Sequence, residues 1–244
     1  RIVRRTNAFA GLLSEFLWRN YIILFAKNND LDINISYGDF SSKDFDQTDL
    51  EIISNSKKIK IEVRSSFPYK GIDMAILNAG IYTPVDMKSF SGETFVKQMQ
   101  VNYFGIIHCL DHLLPAMLAR GSGHLALMGS VAGYRGLPKS AAYGPTKAAI
   151  QNLAECMYFD LNPKGIKLQV INPGFVETEA TSVNDFVMPD LISSDVAAEH
   201  VIQGLQEDIF EISFPKSFVR KLKFMRLLPS HVYLSLTAKL TGYK

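Results

Sequence analysis

Short apolar runs punctuate this chain and stop on small or polar residues, at positions 21–25, 73–77, 124–128 and 167–171. Runs of that length suit strands buried on both faces, as in a parallel sheet. Between them, residues 8–19, 90–120 and 141–162 carry apolar positions at helical spacing. Strands alternating with helices predict an α/β fold, a doubly wound parallel sheet in a three-layer α/β/α single domain. Right-handed crossovers bring the strand ends to one edge, where such sheets bind ligands. Asn78, Ser130 and Asn172 each follow a predicted strand. The pattern alone therefore gathers them on that edge.

Two stretches read differently. Residues 28–60 are polar and lack a clean period, although Ile33, Ile35 and Tyr37 alternate as a strand would. From Ile212 onward there is no Asp or Glu, and lysines and arginines are interspersed with Phe218, Leu222, Phe224 and Met225. Phe218, Leu222 and Met225 stand at helical spacing. Such a segment either lies on anionic lipid or folds back over the cleft or a second subunit, and the second reading is preferred. The chain is thus divided into a catalytic domain, residues 1–211, and a basic, apolar extension, residues 212–244, packed on it.

Composition narrows the classes. The 244 residues are 47% hydrophobic, enough for a core and too much for a disordered chain. A formal charge of +2 without a basic aromatic patch gives no case for nucleic acid. Cys109 and Cys156 lie in helical patterns, so buried, inert thiols in a reducing, cytoplasmic compartment are expected rather than a disulfide framework. No apolar run reaches the ~20 residues of a membrane span. The chain opens on Arg1, and no signal peptide is evident in it. His108 and His112 are spaced for a metal, with Asp111 between, yet no third ligand is evident and no metal site is expected.

The chemistry concentrates in Ser130, Tyr143 and Lys147. A four-residue helical step turns through about 400°, which puts Tyr143 and Lys147 on one face. An ammonium beside a phenol favours the phenolate, so a lowered Tyr143 pKa is expected. A phenol tuned in that way exchanges a proton with a carbonyl or alcohol oxygen, and a serine hydroxyl at a strand end can hold the same oxygen. Around these residues stand Leu77-Asn78-Ala79-Gly80, Val101-Asn102, Gly129-Ser130, Tyr143 to Lys147, and Asn172-Pro173-Gly174 with Thr178. In this order and spacing, over residues 71–205, the sequence resembles the short-chain dehydrogenase/reductase family.

That resemblance implies a Rossmann-type fold and hydride transfer between a nicotinamide cofactor and a small-molecule carbonyl/alcohol pair; a C-terminal tail that lines the cleft would make that substrate bulky and apolar, or lipid-like. It implies that Tyr143 is the general acid/base and that Lys147 holds the nicotinamide ribose and tunes Tyr143. Ser130 would polarise the substrate oxygen, and Asn102 would support a water joining the lysine to solvent. Asn78, Ala79 and Gly80 would cap the cofactor cleft. Pro173 and Gly174 would let the nicotinamide lie flat, Phe175 and Val176 would wall it, and Thr178 would bond its carboxamide or a phosphate. Residues 179–189 read as a lid with Phe186, Val187 and Met188 as apolar contacts. A homodimer or homotetramer pairing through residues 90–120 and 141–162 is the family's habit.

The glycine-rich phosphate turn of the family aligns with Thr6-Asn7-Ala8-Phe9-Ala10-Gly11-Leu12-Leu13, where Gly11 alone survives of the glycines. Glycines there let backbone N–H groups approach a pyrophosphate. Either the turn binds cofactor weakly, or the N-terminal stretch is rearranged. Lys27, after the second predicted strand, attracts a 2′-phosphate and favours NADP, with NAD as the alternative. Asp49 resembles the acidic position beside the adenine. Two other readings stay open: a cofactor-impaired binding scaffold, and an epimerase or dehydratase using the same Tyr–Lys pair.

Overall fold

The computed structural model describes residues 50–54, 57–62 and 72–243. Six strands form one sheet in the order β1 to β6. They are β1 (Leu50–Ser54), β2 (Lys57–Glu62), β3 (Met74–Leu77), β4 (Gly123–Met128), β5 (Ile166–Pro173) and β6 (Glu211–Phe214). β3, β4 and β5 fall on the predicted runs at 73–77, 124–128 and 167–171. The run at 21–25, the helix at 8–19 and the strand at 33–37 lie outside the described residues. β1 and β2 pair antiparallel, in a stretch the sequence left unassigned. Every later pairing is parallel, from Ile61 opposite Met74 to Pro173 opposite Phe214.

The long helical pattern at 90–120 resolves into three pieces: α1 (Gly92–Met99), a π-helical turn at Gln100–Phe104, and α2 (Gly105–Arg120). A π turn inserts one residue into the helix and is frequent at functional sites; this one holds Asn102. α2 ends on Gly121, whose φ of 67° is the left-handed cap that glycine adopts without strain. α3 (Gly144–Leu161) starts just after Tyr143, with Pro145 in its first turn, where a missing N–H costs nothing. A short α4 (Glu179–Ser182) and a longer α5 (Ser194–Gln206) follow β5; α6 (Lys216–Arg226) and α7 (Ser230–Thr241) follow β6.

Alternation along the strands explains the layers. Leu125, Leu127, Leu168 and Val170 pack with Ile106, Leu110, Leu113 and Met117 of α2 and with Ile150 and Ala154 of α3 in one core. Gln169 points the other way and is fully buried. Its amide donates to the carbonyls of Gly204, Glu207 and Ile209 at the end of α5, so a polar side chain closes the opposite layer. The expected boundary at 211/212 falls inside β6, because the apolar Ile212 and Phe214 are buried core residues of the sheet. Cys109 is buried, but Cys156 is exposed, since it lies on the outer face of α3, and neither forms a disulfide.

Candidate active site

The carboxyl ends of β3, β4 and β5 open onto one cavity of about 770 Å³. Asn78, Gly80, Ser130, Tyr143, Lys147, Pro173, Gly174, Val176 and Thr178 all line it. Ala79 and Asn102 do not. Thr6, Gly11, Lys27 and Asp49 lie outside the described residues.

Asn102 stands behind the cavity, fully buried. Its Oδ1 accepts from the Ile81 N–H at 2.7 Å, and its Nδ2 donates to the Ile81 carbonyl at 2.9 Å and to Thr146 Oγ1 at 3.1 Å. One side chain thereby satisfies both backbone groups of Ile81, just after Asn78-Ala79-Gly80, and ties that loop to α3.

Ser130 follows β4 in extended backbone, and its Oγ accepts from the Ala132 N–H. The chain then makes a tight turn, Val131–Gly133, against α3. A Cβ on Gly133 would lie 2.7 Å from the Lys147 carbonyl carbon, so only glycine permits this crossing. Tyr143 is the residue before α3 but its side chain caps nothing; its phenol is turned into the cavity. Lys147 is buried one turn on, with Nζ 5.5 Å from the Tyr143 ring centroid and donating to the Met128 carbonyl at 2.7 Å.

The electrostatics correct the sequence expectation for Tyr143. Burial pushes its pKa up to about 12, against a lowering by the Ser130 hydrogen bond and a further rise from Tyr82. Burial also lowers Lys147, to about 7. The same enclosure that brings the two together disfavours both charged forms, and the lysine directs its hydrogen bond to Met128. Desolvation therefore outweighs the attraction that two residues on one helix face suggested.

Several contributors carry no sequence signal of their own. The Tyr82 ring meets Tyr143 edge-on at 5.1 Å, and its hydroxyl donates to Asn184 Oδ1 at 2.9 Å. Lys139, at a positive φ of 58°, pairs with Asp185. These contacts hold the predicted lid segment over the cavity. Phe186 packs on Phe175 with ring centroids 5.8 Å apart. Val187 lines the cavity mouth, but Met188 does not line it; its sulfur faces Asn184 at 3.3 Å. Thr178 reaches the cavity while forming a capping box with Thr181 at the start of α4. Phe218, Leu222, Met225, Leu240 and Tyr243 complete the wall from α6, α7 and the residues after them.

A family model described as short chain dehydrogenase matches residues 41–185. The chain belongs to this family. Among curated relatives, an uncharacterised oxidoreductase of Myxococcus xanthus is 32% identical over 163 residues, 67% of this chain and 64% of that protein. A dehydrogenase/reductase SDR family protein 7-like of Drosophila melanogaster is 36% identical over 111 residues, 46% of this chain and 34% of that one. This chain thus spans less than two thirds of the length of either relative. A short-chain dehydrogenase of Burkholderia cenocepacia in complex with NADP shares the fold, with TM-score 0.60, 23% identity and 69% of each chain covered. A gluconate 5-dehydrogenase of the same organism, in complex with NADP and tartrate, gives TM-score 0.52 at 26% identity, over 58% of this chain and 61% of that one.

No group of three metal-ligating side chains occurs among the described residues, His108 and His112 included. No helix among them is long and apolar enough to cross a membrane.

Proposed function

We propose that this chain reduces a bulky, apolar ketone to its alcohol, with NADP(H) as the preferred nicotinamide cofactor. The observation that carries the reading is Ser130, Tyr143 and Lys147 meeting at one end of a cavity whose remaining wall is largely apolar. The residues present suit a nicotinamide nucleotide. Gly80 leaves room beside Lys147, where a Cβ would come within 3.6 Å of Nζ, and Pro173-Gly174 form a side-chain-poor floor. Lys147, Asn78 and Thr178 would hold it, and when bound it supplies the hydride. NADP over NAD is favoured by Lys27 and is in keeping with the NADP complex of the structural relative.

The proton chemistry follows from this chain's own residues. With its pKa at about 12, Tyr143 carries its proton at neutral pH and is a loaded acid. It delivers that proton to the oxygen as negative charge develops there, while the Ser130 hydroxyl donates to the same oxygen. Such a donor counts most in the transition state. Lys147, with a pKa at about 7, adds positive charge below neutrality. Phe175 and Phe186, packed on each other in the cavity wall, limit the entry of water.

We further propose a homo-oligomer paired through residues 90–120 and 141–162, where Phe104 and Phe159 are exposed, and a single catalytic domain in which residues 212–244 supply most of β6 together with α6 and α7. The basic outer face of α6, with Phe224 and Leu227 exposed, is where contact with an anionic membrane surface would occur. The exposed Cys156 and the lack of disulfides suit a cytoplasmic setting.

Fluorescence titration with NADPH and NADH, followed by turnover of a graded ketone series, tests the reading. NADPH should bind more tightly, and Tyr143→Phe should lower kcat by at least about a hundredfold. Failure of both nucleotides to bind at millimolar concentration would overturn it.

A further inference from the structure

Among the contacts that join the loop between Ser130 and Tyr143 to the C-terminal helices, the largest set of hydrogen bonds comes from a side chain outside the cavity. Arg135 follows the Val131–Gly133 turn, and its Nη1 donates to the carbonyls of Met225 at 3.2 Å, Arg226 at 3.1 Å and Leu228 at 2.7 Å. Its Nη2 donates to Ser230 Oγ at 3.2 Å. These carbonyls belong to the end of α6 and the turn into α7. They lie at the negative, C-terminal end of the α6 dipole, where the Met225 carbonyl also accepts from the Leu228 N–H at 3.2 Å. A guanidinium suits the position because it is charged at every working pH and presents several donors in a planar fork. The guanidinium carbon also lies 4.1 Å from the centroid of the Tyr233 ring on α7, and the Tyr233 hydroxyl returns a hydrogen bond to the Gly136 carbonyl at 2.7 Å. The two chain segments therefore hold each other in both directions.

The position of the clamp gives it a consequence. Leu137, Pro138, Lys139, Ser140 and Tyr143 line the cavity from the loop; Phe218, Leu222, Met225 and Leu240 line it from α6 and α7. Met225 does both jobs, with its side chain in the cavity wall and its carbonyl on Arg135. We infer that Arg135 is a positioning residue that sets the wall of the substrate cavity built by α6 and α7, and with it the size of ketone the site accepts. This rests on the ketone-reductase reading above. Arg135 itself does not line the cavity and touches no reacting atom. A small ketone needs little beyond Ser130 and Tyr143, whereas a long one must also fit against the wall that Arg135 holds.

The test pairs kinetics with a readout independent of turnover. A series of methyl ketones, from acetone to long alkyl chains, is assayed with NADPH for the wild-type chain, Arg135→Ala and Arg135→Lys. Arg135→Ala should raise KM for the longest ketone about tenfold, the scale of hydrogen bonds to a charged donor, with kcat and the smallest ketone changed less than about twofold. Arg135→Lys should recover part of the loss, keeping the charge but not the fork. By hydrogen exchange, the amides of residues 216–241 should open about tenfold faster in Arg135→Ala, with β4 and β5 unaffected. An equal fall in kcat for every ketone, or unchanged exchange in 216–241, would overturn the inference. If Arg135→Ala does not fold, Tyr233→Phe, which removes only the bond to Gly136, should shift both readouts the same way by a smaller factor; no shift there and none in Arg135→Lys would equally overturn it. A wild-type chain that reduces no ketone refutes the functional reading, and the exchange arm still decides on the clamp.

Discussion

At the scale of single residues, enclosure decides the chemistry. Lys147 is buried among apolar groups near one carbonyl partner, so its charge is held at a cost, and a group with a pKa at about 7 titrates in the working range. If its positive charge assists reduction, the rate should fall as pH rises through about 7. Lys147→Arg, which stays charged, should lose that limb in a pH profile of kcat/KM, whatever its absolute rate. Tyr82 offers a second test. Its ring packs on Tyr143 and its hydroxyl holds Asn184, so Tyr82→Phe keeps the first contact and removes the second. KM should rise several-fold with kcat nearly unchanged, the loss of one neutral hydrogen bond of about 1 kcal/mol. Steady-state kinetics on one ketone checks this.

At the scale of elements, the π turn and the Val131–Gly133 turn place the reacting groups. Asn102 fills both bonds of Ile81 because the π turn directs it inward. Asn102→Ala leaves the half-buried N–H and carbonyl of Ile81 unpaired, and should lower stability by about 1–3 kcal/mol, read as a shift in the urea midpoint. Gly133→Ala forces a Cβ to within 2.7 Å of the backbone of Lys147. No side-chain rotation can relieve contact with backbone, so the turn and α3 must part. Activity should fall at least tenfold together with thermal stability, measured as kcat and Tm on the same preparation. Neither residue stood out in the sequence for that reason. The resemblance marked Asn102 as support for a water, not as the partner of Ile81, because spacing alone does not reveal the extra residue of a π turn. Gly133 was one glycine among sixteen, and the crossing that needs it is between segments distant along the chain.

At the scale of the whole molecule, buried ionisable groups set the pH dependence of stability. Burial lowers His124, on β4 beside Gln169 of β5, to about 4, despite its hydrogen bond with Gln169. The unfolded chain then binds more protons between about 4 and 6.5, so stability falls as the solution is acidified through that window. Lys147 acts in the same sense from about 7 to 10.5: its depressed pKa destabilises the folded state below that range, and stability rises with pH through it. Tyr143 acts oppositely above 10, since the folded chain keeps the phenol proton up to about 12. Urea midpoints should therefore be highest on the alkaline side of neutrality and lower at pH 5, and His124→Asn should flatten the acid limb. A midpoint independent of pH between 5 and 9 would refute this assignment.

Local pattern was sufficient for the parallel strands at 74–77, 123–128 and 166–173, for α3, and for the motif residues that follow them. Strand and helix periodicity record which face of each segment is buried, and β–α alternation then puts Asn78 and Ser130 at the cavity, whereas Asn172 stands inside β5, buried, and donates to Gln151 Oε1 and Glu211 Oε1. The amino-acid order also sufficed to place the chain near its family. It could not supply the β1–β2 pairing, the break at Gln100, the Arg135 clamp, or the sign of the Tyr143 shift. Each of those depends on groups brought together from distant positions. A pKa in particular is set by the volume of protein around a charge, and that volume exists only once the helices have closed over the sheet.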